Sequence, residues 1–317
     1  MSISNHLQEL YGLPAFDFPG GGVTEPLPEP GAVAWRVSVD SYEAEEPWEA
    51  AFARFTETVD TTEVQALIIG SWSDAYESGP DEVIAAVVAA RGQLPELRAL
   101  FLGDITFDEC EISWINQTLV TPLLDAFPAL REFGVRGGTD LRFPPVKHEQ
   151  LRSLTIETGG LDVEVVRGVG ASEFPALQRL DLWLGVDDYG ANAEIADLAP
   201  FLSGARLPAL RHLGLRNSQL QDEIATALAG APVVANLETL DLSMGTLGDE
   251  GAEALLGGQP LTHLKRLDLN HNYLGEIMRQ RIVSTLGEAG VEVDVSNTTE
   301  ADTEDDGTEW RYVAVGE

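Results

Sequence analysis

Apolar residues along this chain follow neither a helical stripe nor a plain strand alternation. In "LTHLKRLDLNHNYLGE", residues 261 to 276, Leu264, Leu267, Leu269, Asn272 and Leu274 are spaced by three, two, three and two. A unit that changes conformation partway satisfies that spacing. Leu267 and Leu269 share one face of a very short strand, because strand side chains alternate sides. Asn272 marks the bend, where its side chain can bond backbone groups that a turn leaves unpaired, and Leu274 points inward to begin the return.

The pattern recurs along most of the chain. Leu237, Leu240 and Leu242 repeat the triplet, as do Leu210, Leu213 and Leu215; Leu177, Leu180 and Leu182; Leu151, Leu154 and Ile156; Leu130, Phe133 and Val135; and Leu97, Leu100 and Leu102. Val64, Leu67 and Ile69 fit more loosely. Ala34, Val37 and Val39 at one end, and Val291, Val293 and Val295 at the other, read as degenerate terminal copies, which cap such arrays. Successive middle residues lie 21 to 33 positions apart, a mean period of about 28. The stretches between triplets carry helix signals. "PWEAAFARFTETV" starts with Pro47 and lines up Trp48, Phe52, Phe55 and Val59. "PDEVIAAVVAARG" opens with Pro80 and closes near Gly92. "QDEIATALAG", "LGDEGAEALLGG" and "GEIMRQRIVSTLGEAG" place acids in the first turn and glycine near the last, as the helix dipole and the C-cap favour.

This period and triplet resemble the leucine-rich repeat, in its longer, ribonuclease-inhibitor-like form whose return segment is a helix. The resemblance covers residues 31 to 298. "ISWINQTLVTPLLDAFPAL", "VRGGTDL", "LTIETGGL", "LDLWLGVDDYG", "GTLGDEGAEALL" and the ending "WRYVAVGE" also resemble an uncharacterised bacterial family of cytoplasmic leucine-rich repeat proteins. The resemblance implies an α/β solenoid, a horseshoe with a parallel sheet on the concave side and helices on the convex side. We read residues 1–30 as an N-terminal cap, 31–298 as a solenoid of about ten repeats, and 299–317 as an acidic linker with a strand-like C-terminal segment.

Composition narrows the partners. With 53 acidic against 19 basic residues and a net charge of −34, the chain repels phosphate backbones and anionic membrane surfaces, so neither nucleic acid nor membrane is an expected partner. No run reaches the roughly 18 apolar residues of a membrane span. "MSISNHLQELYGLPAF" lacks a signal-peptide pattern, and Cys110 is the only cysteine. These features fit a reducing, cytoplasmic setting.

The ends differ from the middle. Residues 14 to 31, "PAFDFPGGGVTEPLPEPG", are dense in Pro and Gly and read as unable to hold helix or ladder. Tyr11, Leu13, Phe16 and Phe18 are expected to cover the open side of the first strand. "NTTEADTEDDGTE" reads as a mobile acidic linker, and "WRYVAV" as a segment that docks as an end cap or binds a partner. Asp302, Glu304, Asp306 and Gly307 follow the order of a calcium loop, but Val313 stands where a bidentate Glu is required. No phosphate loop or zinc-ligand spacing is present, and Cys110 reads as structural. No cofactor is expected.

The concave face can be written out from the repeat register. Residues between the two inward apolar positions are Ser38, Ile68, Phe101, Gly134, Thr155, Asp181, Gly214, Asp241, Asp268 and Asp294; those before them include Arg36, Arg179, His212 and Arg266; those after include Arg136, Trp183, Arg216 and Asn270. Arg179, Trp183, His212, Arg216 and Arg266 suggest a recognition patch for an acidic or planar group. The alternative is that these arginines pair with neighbouring acids. Asp241, Asp268 and Asp294 fall in one column, on strands about 4.8 Å apart. Their repulsion needs Arg266, a partner's cation or a divalent metal to offset it. The expected function is a non-catalytic, monomeric protein-binding scaffold using Arg179, Asp181, Trp183, His212, Arg216, Asp241, Arg266, Asp268 and Asn270. The alternative is a metal-dependent or acid/base enzyme, or an accessory subunit of one, working through the Asp column with His212 or His271.

Overall fold

In the computed structural model, which describes residues 3–21, 26–304 and 309–317, the triplets assemble into one sheet. Its strands are β1 (Glu9–Leu10), β2 (Leu13–Asp17), β3 (Ala34–Val37), β4 (Ala66–Ile69), β5 (Ala99–Leu102), β6 (Glu132–Arg136), β7 (Ser153–Glu157), β8 (Arg179–Gly185), β9 (His212–Ser218), β10 (Thr239–Asp241), β11 (Arg266–Asp268) and β12 (Glu292–Asp294). They lie in chain order. β1 turns back antiparallel on β2, and every later pair is parallel. Leu213, Leu240, Leu267 and Val293 are register neighbours, as are Leu67, Leu100, Phe133, Leu154 and Leu180 further back. Their side chains form a continuous ladder inside the coil, and Leu213, Leu240 and Leu267 have no exposed surface.

The return segments supply helices α1 (Trp48–Thr58), α2 (Asp81–Ala89), α3 (Thr121–Ala126), α4 (Val163–Ala171), α5 (Ala199–Ser203), α6 (Gln221–Leu228), α7 (Asp249–Gly257) and α8 (Glu276–Ile282). α1 buries Trp48, Phe52 and Phe55 against the sheet, as its stripe requires. Asn272 does what its place in the triplet foretells. It is fully buried, its Nδ2 donates to Leu242 O at 2.9 Å and Leu269 O at 3.1 Å, and its Oδ1 accepts from Leu247 N at 3.1 Å. The left-handed residue of that bend is the preceding His271, and Asn217, Met244 and Asn297 take the same conformation at the same place in their own repeats.

One interval is too short for a helix. Phe133 and Leu154 are 21 residues apart, and the chain between β6 and β7 stays extended, bridged at Arg142 to Leu119 and at Lys147 to Glu173. It packs against α4 at Gly168, where a Cβ would stand 1.7 Å from Phe143 O. The missing helix leaves a cavity of about 980 Å³ bordered by Asp81, Arg142, Asp162 and Arg167.

Two expectations about the N-terminal part of the chain are corrected. Trp35, not Val37, pairs with Leu67, and Arg36, not Ser38, enters the between column opposite Ile68. The triplet reading fails there because Trp35 and Val37 alternate in the same way as Val37 and Val39; Arg36 then falls on the concave side, where it pairs with buried Asp104. The second correction concerns residues 14 to 31. Leu13–Asp17 does join the ladder, pairing in parallel with β3. Pro14 is tolerated because β1 pairs there through only two residue positions and the strand lies near the sheet edge. Phe16 and Phe18 pack on Trp35 inside the coil, whereas Tyr11 and Leu13 lie on the concave side against Ala34, Ala66, Ile68 and Ala99. Gly22, Val23, Thr24 and Glu25 of the Pro/Gly-rich stretch, and Asp306 and Gly307 of the calcium-loop order, lie outside the described residues. Asp302–Thr303 (β13) and Glu309–Trp310 (β14) pair as a small antiparallel ladder, which the reading of a mobile linker does not foresee.

Candidate functional site

The two longest strands, β8 and β9, stay paired through Trp183↔Arg216 and Gly185↔Ser218. Around them the concave face gathers its charges. Asp181 is buried at 1 % exposure. Its Oδ2 accepts from Arg179 Nη2 at 2.6 Å and lies 3.5 Å from His212 Nε2 and 3.6 Å from Arg216 Nη1. Gly214 opposite makes the room, since a Cβ there would come within 2.9 Å of Asp181 Oδ1. Burial alone would raise the Asp181 pKa, but His212, Arg216 and Arg179 outweigh it and hold it at about 2. Asp241 is the opposite case. Burial raises its pKa despite Arg216 Nε at 3.2 Å. Arg216 also donates to Ser243 Oγ at 2.9 Å and lies 5.4 Å over the Trp183 ring.

Asp181, His212 and Asp241 bring potential ligand atoms within 4.8 Å of one another. The donor set nevertheless does not fit a metal, because the Arg216 guanidinium stands between the two carboxylates and supplies the positive charge a metal would bring. A second cation there would face Arg216 and Arg179 at close range. The Asp column is neutralised in the same way. Asp241, Asp268 and Asp294 each use Oδ1 to accept the backbone N–H two residues on, from Ser243, Asn270 and Ser296 at 3.0 Å each. Arg266 Nη2 bonds Asp268 Oδ2 at 2.8 Å, lies 3.5 Å from Asp294 Oδ2, and its Nη1 pairs with Glu292. The aspartates therefore close the ends of their own strands.

Both ends of the chain lie over this face. The N-terminal arm is anchored at fully buried Asp104, which accepts from Leu7 N at 3.1 Å, Arg36 Nε at 2.7 Å and Arg136 Nη1 at 3.2 Å. Phe107 N donates to Ile3 O. The C-terminal tail runs back along the rim formed by the strands' C-terminal ends. Arg311 Nη1 meets Asp222 at 3.0 Å, Tyr312 N donates to Tyr273 Oη, and Ala314 N donates to Met244 O. Asn217 then brackets Val315, and Ser113 and Tyr189 donate to Gly316 O and Glu317. Ala314 and Val315 pack with Ile112 and Trp183, and Ile3 joins them from the other end of the chain.

A leucine-rich repeat family model matches residues 235–256, which span β10 and most of α7. A Bacteroides fragilis protein of known crystal structure is 30% identical, with the match covering 81% of this chain and 74% of that one at a TM-score of 0.74. The chain belongs to the leucine-rich repeat family. Among curated proteins none matches it.

Within this leucine-rich repeat sheet, Arg179 is exposed, Arg266 and Asn270 are half-buried, His212, Arg216 and Asp268 keep only a small exposed edge, and Trp183, Asp181 and Asp241 are buried. Trp183 lies beneath the tail and is not an exposed anchor. His271 stays outside the Asp181 cluster. The segment "WRYVAV" docks, but on the concave rim and not as an end cap. Sequence reasoning missed Asp104, Ser113, Asn217 and Met244, the residues that hold the arm and tail. Only the left-handed position shared by Asn217 and Met244 follows the repeat. Cys110 is half-buried, with its thiol pushed up to about 11 by burial and by Glu111. No helix among the described residues is long and apolar enough to cross a membrane.

Proposed function

We propose that the protein is a non-catalytic binding scaffold, monomeric and cytoplasmic, whose docking surface is the uncovered part of the concave sheet from β8 to β12. The observation that carries this reading is the fixed placement of charge there. Arg179 is tied to Asp181, and Arg266 to Asp268, Asp294 and Glu292, all on a rigid sheet. Charges held in place by neighbours cost a partner little ordering on binding. The arm and tail cover much of the rest of the face, which leaves Arg179, His212, Arg266, Asp268 and Asn270 as the contact set. Exposed Glu292 and half-buried Asp268 and Asp294 favour a protein partner with basic residues, steered by the net charge of −34.

The experiment is affinity capture from an extract of the source cells with the wild type and with Asn270→Arg, which adds bulk and charge within the patch. Retention of a defined partner should fall by about tenfold or more, with an unchanged melting temperature, while Arg281→Ala on the convex side has no effect. Equal capture by all three proteins would remove the concave patch from consideration.

A further inference from the structure

The rim above Trp183 holds the C-terminal tail mainly by its backbone. Val315 N donates to Asn217 Oδ1 at 2.9 Å, and Asn217 Nδ2 donates to Val315 O at 2.5 Å. Ala314 N donates to Met244 O at 2.8 Å, and Gly316 O accepts from Ser113 Oγ. An extended segment of another sequence can make the same bonds. Asn217 can present its amide this way because it is fully buried and sits in the left-handed conformation at the end of β9. The floor is shaped for a main chain lying flush: a Cβ on Gly159 would stand 2.2 Å from Gly316 O.

The tail fills this groove imperfectly. Of its apolar side chains only Ala314 and Val315 are buried, while Trp310 and Tyr312 remain exposed. Trp183, on which the tail lies, also carries a donor without a partner. Trp183 is 8 % exposed, packs in the same cluster as Ala314 and Val315, and its Nε1 has no acceptor among the described residues. An occupant with few buried side chains and an unmet donor is held weakly and can be exchanged.

We propose that this rim is a binding groove for an extended peptide segment of a partner protein, with residues 312–317 as an internal occupant that such a segment displaces. The fitting ligand has two small apolar side chains to lie on Ile112 and Trp183, and a Ser, Thr, Asn or Asp side chain to accept from Trp183 Nε1. The groove lies on the C-terminal rim and stands whether or not the open part of the sheet binds a partner.

The test uses the full-length protein with two labelled synthetic peptides, one of residues 309–317 and one carrying Ala314→Ser, together with hydrogen exchange. The Val315 amide should exchange at least about 100-fold faster than that of Leu213, because local opening costs less than global unfolding. Both peptides should bind saturably at concentrations up to about millimolar, where they compete with a tethered tail, and the serine peptide should bind several-fold tighter. Asn217→Ala should abolish uptake. Ser113→Ala, which removes a single hydroxyl and spares the bend, should weaken uptake even if Asn217→Ala unfolds the protein. A Val315 amide as slow as that of Leu213 with no peptide uptake would make the tail a permanent part of the fold and overturn the proposal. Uptake indifferent to both substitutions would overturn it too, as would whole-chain dimers that exchange tails but take up no free peptide.

Discussion

Asn272 and Arg216 show how much a single side chain holds in this molecule. Asn272 satisfies three buried backbone groups, so Asn272→Ala is expected to cost about 2–4 kcal/mol in thermal unfolding, whereas exposed-side Asn270→Ala costs little. Arg216→Ala leaves Asp181 and Asp241 buried without their shared cation and should cost about 3–5 kcal/mol. Calcium, magnesium or zinc added to the wild type should leave its melting temperature unchanged, because the guanidinium already occupies the place between the carboxylates. His6 gives a pH signature. Its Nδ1 lies 3.0 Å from Asp104 O and 3.6 Å from Asp104 Oδ2, and the bond to Asp104 raises its pKa above the ordinary 6.5 in spite of partial burial. The raised value means that protonated His6 favours the docked arm. Its contribution is full below pH 6.5 and fades as pH rises through the folded-state value. Protection of the Leu7 amide should fall as pH rises above 6.5, and His6→Gln should flatten that change. Asn272 was legible in the sequence because it sits at a fixed offset from its triplet. Asp104 was not, since its partners Leu7, Arg36 and Arg136 come from three distant parts of the chain.

The elements reflect how far a periodic pattern carries. Five helices expected from capping and apolar spacing form where they were read, and the ladder register follows from the middle leucines alone. The first copy was misaligned by two residues because Trp35 and Val37 satisfy the same alternation as Val37 and Val39, and only the neighbouring strand decides between them. The interval between Phe133 and Leu154 was visible as a short spacing, but its result, an extended segment lying on α4, depends on the close approach at Gly168. Gly168→Ala should therefore lower stability by about 1–3 kcal/mol through overpacking. Gly230→Ala, where a Cβ meets nothing within 4 Å, should be neutral or raise stability by a few tenths of a kcal/mol up to about 1. Thermal melts of the two variants compare them directly.

At the scale of the whole molecule, the horseshoe was readable and its contents were not. Stacked triplets announce a curved sheet, but nothing periodic marks residues 3–10 or 309–317, which have no repeat to align with and find their places by tertiary contact. Their burial over Trp183 is what removed the most prominent aromatic of the expected patch from solvent. A coil whose turns touch only their neighbours can fray from either end, one turn at a time. Here Ser113 grips Gly316 across 203 positions of sequence, and Asn217 grips Val315 across 98. While docked, the tail ties turns far apart in sequence to one another, but because it detaches at lower cost than the coil unfolds, that tie is lost before the turns themselves open. Weakening that tie with Ser113→Ala should speed exchange of the Val315 amide and leave the slope of the main urea transition nearly unchanged, and Leu240→Ala, confined to one turn, should shift the midpoint at the same slope.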